Sequence, residues 1–173
     1  MTKNQHLRGL VAQAITNGVL FDYVLADNWF GAKDNMEFIH YDLKKFFVFG
    51  IKTNRLIAFS EEERKKGQYQ NLNALNFKDG EKRIVWLKDL AFPVALITKV
   101  FKNEDGSTGI LHIVTNDLES DADRIYEIYQ KRWRIEEYHK SIKQNTSLEK
   151  VTNEGCPLSK EPHFRINYCL LQA

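Results

Sequence analysis

The chain has 173 residues, of which 43% are hydrophobic and 28% are charged, a composition that excludes a disordered chain and suffices for one domain with a hydrophobic core. Its formal net charge is only +2, so the whole-chain balance does not indicate a nucleic-acid binder, and any basic surface has to be local. No apolar run reaches the roughly 18 residues of a membrane span, and the first residues lack the apolar core of a signal peptide, which predicts a cytoplasmic protein with no membrane association.

The first 52 residues alternate between helical and strand patterns. Apolar residues recur at helical spacing over residues 5–17. Residues 19–27 are rich in β-branched and aromatic side chains, as strands are, and a second helical pattern covers residues 32–45. The apolar run at residues 46–52 is typical of a strand buried on both faces. The order α-β-α-β predicts an α/β layered fold.

Residues 53–115 have a different character. Three strand-length apolar pieces lie in their second half, and the sequence NEDGSTG between the last two predicts a hairpin turn. The charge run at residues 60–68 predicts a solvated turn or a short exposed helix. Because no crossover helix joins the strands, we expect a β-rich insertion that projects from the core instead of extending its sheet.

A long helix is predicted from about Asp121 to Asn145. Ser120 is the expected N-cap, and Asp123 stands in the capping-box position three residues later. The helical pattern then fails, and the last apolar stretch, residues 163–173, again reads as helical.

One face of this helix concentrates charge. At about 100° per residue, that face carries Tyr129, Arg132, Glu136, Lys140 and Lys143. A solvated face with an ordinary Arg132–Glu136 ion pair is one explanation. However, residues 129–144 hold five Lys or Arg against two Glu. Cations around a carboxylate suit a polyanion, with Glu136 holding a divalent metal at a phosphate.

Asp27 is the best candidate for a second carboxylate. It closes the predicted strand and precedes a polar turn that contains glycine, which is where α/β folds present functional side chains. The alternative is that Asp27 forms the turn or caps the next helix.

Two segments resemble a known family. Tyr129, Arg132, Glu136 and Lys143 stand in the pattern Y-x2-R-x3-E-x6-K, which resembles the signature around the catalytic glutamate of bacterial insertion-sequence transposases of the DDE class. The segment YVLADNWF, residues 23–30, resembles the strand and turn that carry the second catalytic aspartate there, which falls on Asp27.

The resemblance implies a ribonuclease H-like fold with a β-rich insertion before the glutamate helix. Residues 1–52 and 116–173 would form its core, and residues 53–115 the insertion. It also implies cleavage and strand transfer at transposon ends in double-stranded DNA, by two Mg²⁺ or Mn²⁺ ions held by carboxylates. Members of this family act as dimers.

The resemblance assigns a role to each site residue. Asp27 and Glu136 would be the catalytic and metal-binding carboxylates. Tyr129, Arg132 and Lys143 would bind DNA phosphates, and the helix geometry adds Lys140, which lies on the same face.

One departure from the family pattern affects the expected activity. The family has another aspartate on an earlier strand of a three-strand meander, and no segment before residue 5 supplies it. Asp22 is not a substitute, because its odd separation from Asp27 points it to the opposite face. We therefore expect an N-terminally truncated copy, an incomplete ribonuclease H-like fold that is inactive alone, with an exposed sheet edge beside residues 46–52.

Two alternatives stay open from the sequence. One is an intact ribonuclease H-like metal nuclease of another kind, with Asp117 or Asp121 as the third carboxylate. The other is a non-catalytic DNA-binding remnant, which would bind DNA without divalent metal.

Overall fold

A computed structural model of the chain describes residues 1–103, 105–145 and 170–172. Its helices are α1 (Lys3–Thr16), α2 (Lys33–Glu37), which continues as a π-helical turn (Phe38–Asp42), α3 (Glu61–Lys65) and α4 (Ala122–Asn145). Its strands are β1 (Tyr23–Ala26), β2 (Phe46–Ile51), β3 (Leu56–Ala58), β4 (Gln70–Asn71), β5 (Lys82–Leu87), β6 (Val94–Lys102), β7 (Thr108–Thr115) and β8 (Leu170–Gln172). The fold is mixed α/β, as predicted. None of the described helices is long and apolar enough to cross a membrane.

The described strands form one sheet in the order β4-β3-β5-β6-β7-β2-β1-β8. β1 and β2 are parallel, with Tyr23 opposite Phe46 and Ala26 opposite Phe49. The carboxyl ends of these two strands therefore meet at one edge of the sheet. Asp27, which follows β1, and Gly50, the second-last residue of β2, lie next to each other there. The ideal Cβ position of Gly50 is 3.6 Å from the Asp27 carbonyl carbon.

Side-chain alternation in β1 and β2 divides the core between the two faces of the sheet. One face packs against α1 and α2, through Leu7, Val11, Val24, Ala26, Met36, Ile39, Phe47 and Phe49. The other face packs against α4, through Leu25, Val48, Ile125, Ile128 and Tyr129. By the same alternation Asp27, two residues after Leu25, belongs to the α4 face.

The insertion does not project from the core. β7 pairs with β2, with Val48 opposite Thr115 and Ile51 opposite His112, and β6 and β5 continue the same sheet. The physical reason is that β6 is buried on both faces over its first five residues, so it needs a covered position inside a sheet. The expectation of a projecting subdomain is therefore wrong. The expected exposed edge beside residues 46–52 is also wrong, because β2 lies between β1 and β7.

Several element boundaries differ from the prediction. β1 begins at Tyr23, and the expected strand residues Val19 and Leu20 are exposed and unpaired with any described strand. Asp121, not Ser120, caps α4, because its Oδ1 accepts a hydrogen bond from the Arg124 amide at 2.7 Å. Residues 170–172 form a strand that pairs antiparallel with β1, where the sequence predicted a helix. The exposed helix at the charge run, α3, is confirmed.

Candidate active site at the carboxyl ends of β1 and β2

Asp27 lies half-buried at the point where β1 ends. Its Oδ1 accepts a hydrogen bond from the Trp29 amide at 2.9 Å, and its carbonyl accepts one from the Phe30 amide at 3.2 Å. Asp27 therefore forms the turn, as the structural alternative for this residue expected. This hydrogen bond also holds the carboxylate in a fixed direction at the edge of the sheet.

Tyr129 reaches this edge from α4. Its side chain is 3% exposed, and its hydroxyl oxygen is 2.9 Å from the point that a Cβ of Gly50 would occupy. The Asn28 amide nitrogen is 3.2 Å from the same point. The missing side chain at position 50 thus makes room for the phenol beside Asp27.

The pKa of Tyr129 shows that both candidate carboxylates act on this phenol. Burial is the largest cause that raises the pKa above 10.0, and the negative charges of Asp27 and Glu136 raise it further, against the opposing effect of Arg132. The hydroxyl is therefore protonated at neutral pH. Asp27 and Glu136, with 108 residues between them in the sequence, thus both contribute to raising the pKa of Tyr129.

Arg132 connects Tyr129 to Glu136. Its guanidinium forms an ion pair with Glu136 one turn later and lies over the rings of Tyr129 and Trp133, 5.3 and 5.0 Å from their centres. The structure thus contains the ordinary helical ion pair between Arg132 and Glu136, which was the alternative to a phosphate-binding and metal-binding role for this face. The two ends of this ion pair differ in exposure, because the Arg132 side chain is 11% exposed and the Glu136 side chain is 45% exposed. Among the described residues, the Nε of Arg132 has no hydrogen-bond acceptor.

A cleft of about 370 Å³ opens beside Asp27, Tyr129 and Arg132, and Glu136 is not one of its lining residues. It is lined by Asp27, Asn28, Gly50, Ile51, Lys52, Thr53, Ile110, Leu111, His112, Tyr129, Arg132 and Trp133. Lys140 and Lys143 follow on α4, but their side chains lie outside the described residues. The cleft therefore combines a carboxylate, a guanidinium and a lysine, which is the chemistry of a site for a phosphate ester.

A profile of the transposase DDE domain family matches residues 2–154. The chain belongs to this family. No curated protein matches the chain. The match spans β1, β2, the inserted strands and the whole of α4, so the candidate site lies inside the transposase domain.

The third carboxylates considered for an intact nuclease do not reach the site of this transposase domain. Asp117 accepts a hydrogen bond from the Tyr23 hydroxyl at 2.6 Å, at the opposite end of β1 from Asp27. Burial alone would raise the pKa of Asp117, but hydrogen bonds from Ser120, Tyr23 and two backbone amides outweigh it and lower that pKa. Asp121 precedes Glu136 by 15 residues, about 22 Å along α4. Both assignments are wrong.

Asp27 and Glu136, the two candidate carboxylates, are of the oxygen-ligand type that suits a hard divalent cation. Within the described residues, no group of three or more His, Cys, Asp or Glu side chains is placed to hold a metal ion. Mg²⁺ in phosphoryl-transfer sites is commonly held by one or two carboxylates, with substrate phosphates and water completing the octahedron. Asp27 and Glu136 match that description, and Glu136 would exchange its ion pair with Arg132 for the cation.

Sequence reasoning missed three contributors to this site. Gly50 had a usable signal, because an isolated glycine inside an apolar strand indicates close approach by another group. Trp133, which packs on Arg132, had no sequence signal beyond its place in α4. His112 reaches the cleft only because β7 pairs with β2, and it is buried beside Thr98, with its Nδ1 3.0 Å from the Thr98 hydroxyl.

Proposed function

We propose that this transposase domain acts in DNA transposition through a ribonuclease H-like catalytic centre, with Asp27 and Glu136 as its metal-binding carboxylates. The observation that carries the proposal is the position of Tyr129, whose phenol packs on Gly50 beside Asp27 and under the Arg132 that pairs with Glu136. It supports a single site built from the end of β1 and the middle of α4.

Each residue has a defined part in this proposal. Asp27 and Glu136 would hold Mg²⁺ or Mn²⁺, and a pair of such ions would stabilise the attacking and leaving oxygens of a phosphodiester. The Arg132 guanidinium exchanges its ion pair with Glu136 for one with a DNA phosphate. The Glu136 carboxylate is then available to bind the metal ion. Tyr129 keeps Arg132 in place and offers its protonated hydroxyl to the phosphate, and Lys140 and Lys143 bind the next phosphates along α4.

Binding of Mn²⁺ tests the two carboxylates. The electron paramagnetic resonance signal of free Mn²⁺, titrated with protein and a short duplex, should show an affinity at least about tenfold lower for Asp27→Asn and Glu136→Gln than for the unchanged chain. The matched controls are Asp22→Asn, an exposed carboxylate just before the start of β1, and Glu137→Gln, the next residue of α4. Equal affinities for Glu136→Gln and Glu137→Gln would remove Glu136 from the site.

Duplex binding tests the basic face. Arg132, Lys140 and Lys143 contacting one phosphate each imply a log-log salt slope of about −2.7. The triple change to Gln should remove that slope. Arg134→Gln, which removes an exposed cation from the same helix, should leave it unchanged, and a slope that is equally insensitive to Arg132→Gln would contradict the proposal.

We also propose that the 173-residue chain binds DNA without cutting it. Two carboxylates are too few to fix the distance between two metal ions, and a two-metal mechanism needs ligands that hold both ions. Supercoiled plasmid with Mg²⁺ or Mn²⁺ should therefore remain uncut. Metal-dependent nicking that is lost in Glu136→Gln would support the proposed catalytic site and contradict the proposal that the chain does not cut DNA. Transposon ends in double-stranded DNA are the proposed partner, and a homodimer is the assembly that the resemblance implies.

A further inference from the structure

A second cleft, of about 430 Å³, lies beside the candidate site. It shares Asn28 and Lys52 with the first cleft, so the two are adjacent. Its charged lining residues are Lys33, Lys52, Arg55, Lys88 and Asp89. Four cations against one carboxylate give this cleft a local positive charge that the net charge of the chain conceals.

Trp29 stands at this cleft with an exposed ring. Its side chain is 66% exposed, and the ammonium groups of Lys3 and Lys52 lie 5.4 and 5.2 Å from its ring centre. Neither lysine forms an ion pair with an acidic side chain in the described part of the chain. Two cations without acidic partners next to an exposed indole favour an anionic ligand that has a flat ring.

The segment that carries Trp29 is held firmly. The Trp29 amide donates to the Asp27 carboxylate, the Ala32 amide donates to the Phe30 carbonyl at 2.7 Å, and the Arg55 guanidinium donates to the Gly31 carbonyl at 2.5 Å. Because the same carboxylate belongs to the candidate active site, a ring stacked on Trp29 would lie next to the reacting phosphate.

We propose that Trp29, Lys3 and Lys52 form a subsite for single-stranded DNA, in which an unpaired base stacks on the indole and the two lysines bind the flanking phosphates. The inference rests on the proposed function, because it assigns the strand next to the candidate site. Base stacking on an aromatic ring is stronger than a cation–π contact at an exposed position. A base therefore displaces an ammonium from the ring, and the displaced ammonium is placed for a phosphate.

Tryptophan fluorescence tests the stacking directly. The chain has three tryptophans, so the double variant Trp86→Phe/Trp133→Phe leaves Trp29 as the only reporter. A dT12 oligonucleotide should quench it, and an abasic 12-mer with the same number of phosphates should quench it much less. Equal quenching by both oligonucleotides, or none by dT12, would overturn the proposal.

Affinity measurements on the otherwise unchanged chain give an independent test. Trp29→Leu should weaken dT12 binding about tenfold, the scale of one lost stacked base, and leave binding of the abasic 12-mer unchanged. Lys3→Ala/Lys52→Ala should reduce the salt slope for dT12 by about 1.4, whereas the control Lys66→Ala/Lys102→Ala, two exposed lysines elsewhere, should not. Unchanged dT12 affinity in Trp29→Leu would contradict the subsite.

The two proposals fail separately. If the Arg132 and carboxylate variants leave the salt slope and Mn²⁺ affinity unchanged, but the Trp29 tests give the expected results, the proposed catalytic centre is wrong and the single-strand subsite stands. The reverse result would keep the catalytic centre and remove the subsite.

Discussion

Gly50 is the residue on which the phenol of Tyr129 rests. A Cβ there would lie 2.9 Å from the Tyr129 hydroxyl and 3.2 Å from the Asn28 amide, and the amide belongs to backbone that cannot give way. We expect Gly50→Ala to reduce the free energy of unfolding by about 1–3 kcal/mol and to weaken Mn²⁺ binding, because Tyr129 and Arg132 shift together. Urea unfolding and the Mn²⁺ titration measure the two effects.

The control for this prediction is Gly9→Ala in α1, where nothing lies within 4 Å of the added methyl group. That change should stabilise the helix by up to about 1 kcal/mol. An equally harmless Gly50→Ala would show that Tyr129 does not depend on this close approach.

Asp117 stabilises the fold in a pH-dependent way. It is 5% exposed and accepts hydrogen bonds from the Tyr23 hydroxyl and from the amides of Glu119 and Ser120. Its pKa lies below the ordinary 3.8 in the folded chain. A lowered folded pKa means that its stabilisation is present above pH 3.8 and is lost as the pH falls through the lower value.

Asp117→Asn should therefore cost about 1–3 kcal/mol at pH 7, and the difference from the unchanged chain should narrow as the pH falls below 3.8. Denaturant unfolding at several pH values measures it, with Glu119→Gln, an exposed change in the same loop, as the control. A difference that is constant down to pH 2 would show that the ionised carboxylate is not what stabilises this loop.

The first turn of α4 sets the position of the helix that carries Glu136. The Asp121 carboxylate accepts a hydrogen bond from the Arg124 amide, and Asp123 forms an ion pair with Lys99 of β6 at 3.0 Å. Asp121→Ala should cost about 0.5–2 kcal/mol of stability, the typical value for a lost N-cap. Asp121→Asn retains the cap and should cost little, so thermal unfolding of the pair separates capping from loss of charge. Equal losses in both variants would speak against the cap.

Local patterns predicted the long elements well and the short ones poorly. α1, β2 and α4 were predicted because helical periodicity over several turns, or an unbroken apolar run, is a strong signal. β3 and β4 have three and two residues, too few for any period. Residues 19–22 read as strand, yet the pairing of β1 with β2 begins only at Tyr23, a boundary set by tertiary contacts.

For the candidate site too, the sequence predicted what depends on neighbouring residues and missed what depends on contacts between distant ones. Asp27 and Glu136 stand in recognisable local contexts, the end of a strand and a charged helical face. The contact between Gly50 and Tyr129 joins residues 79 positions apart, so no local pattern contains it. Asp121 could have been excluded from the sequence alone, because 15 residues of helix place it about 22 Å from Glu136. Asp117 could not, because its place at the far end of β1 depends on its contact with Tyr23.

At the scale of the whole molecule, one hydrophobic core runs through the insertion and the first part of the chain. The core cluster on the α1 face includes Leu7 and Val11 of α1, Phe47 of β2, and Val85 and Leu87 of β5. The sheet crosses the same boundary through the pairing of β2 with β7. The inserted strands are therefore a structural part of the scaffold that positions the site, and their stability is coupled to it.

This coupling predicts a single unfolding transition. In the variant Trp29→Phe/Trp133→Phe, fluorescence reports only Trp86 in β5, whereas far-UV circular dichroism is dominated by α1 and α4 outside the insertion. We expect the two urea midpoints to coincide, because unfolding β5 to β7 would expose one side of β2 and part of the shared core. Val114→Ala, a fully buried change in β7, should cost about 2 kcal/mol and lower both midpoints equally. A Trp86 transition that precedes the circular dichroism transition, or a Val114→Ala effect confined to Trp86, would show that the insertion unfolds as a separate unit.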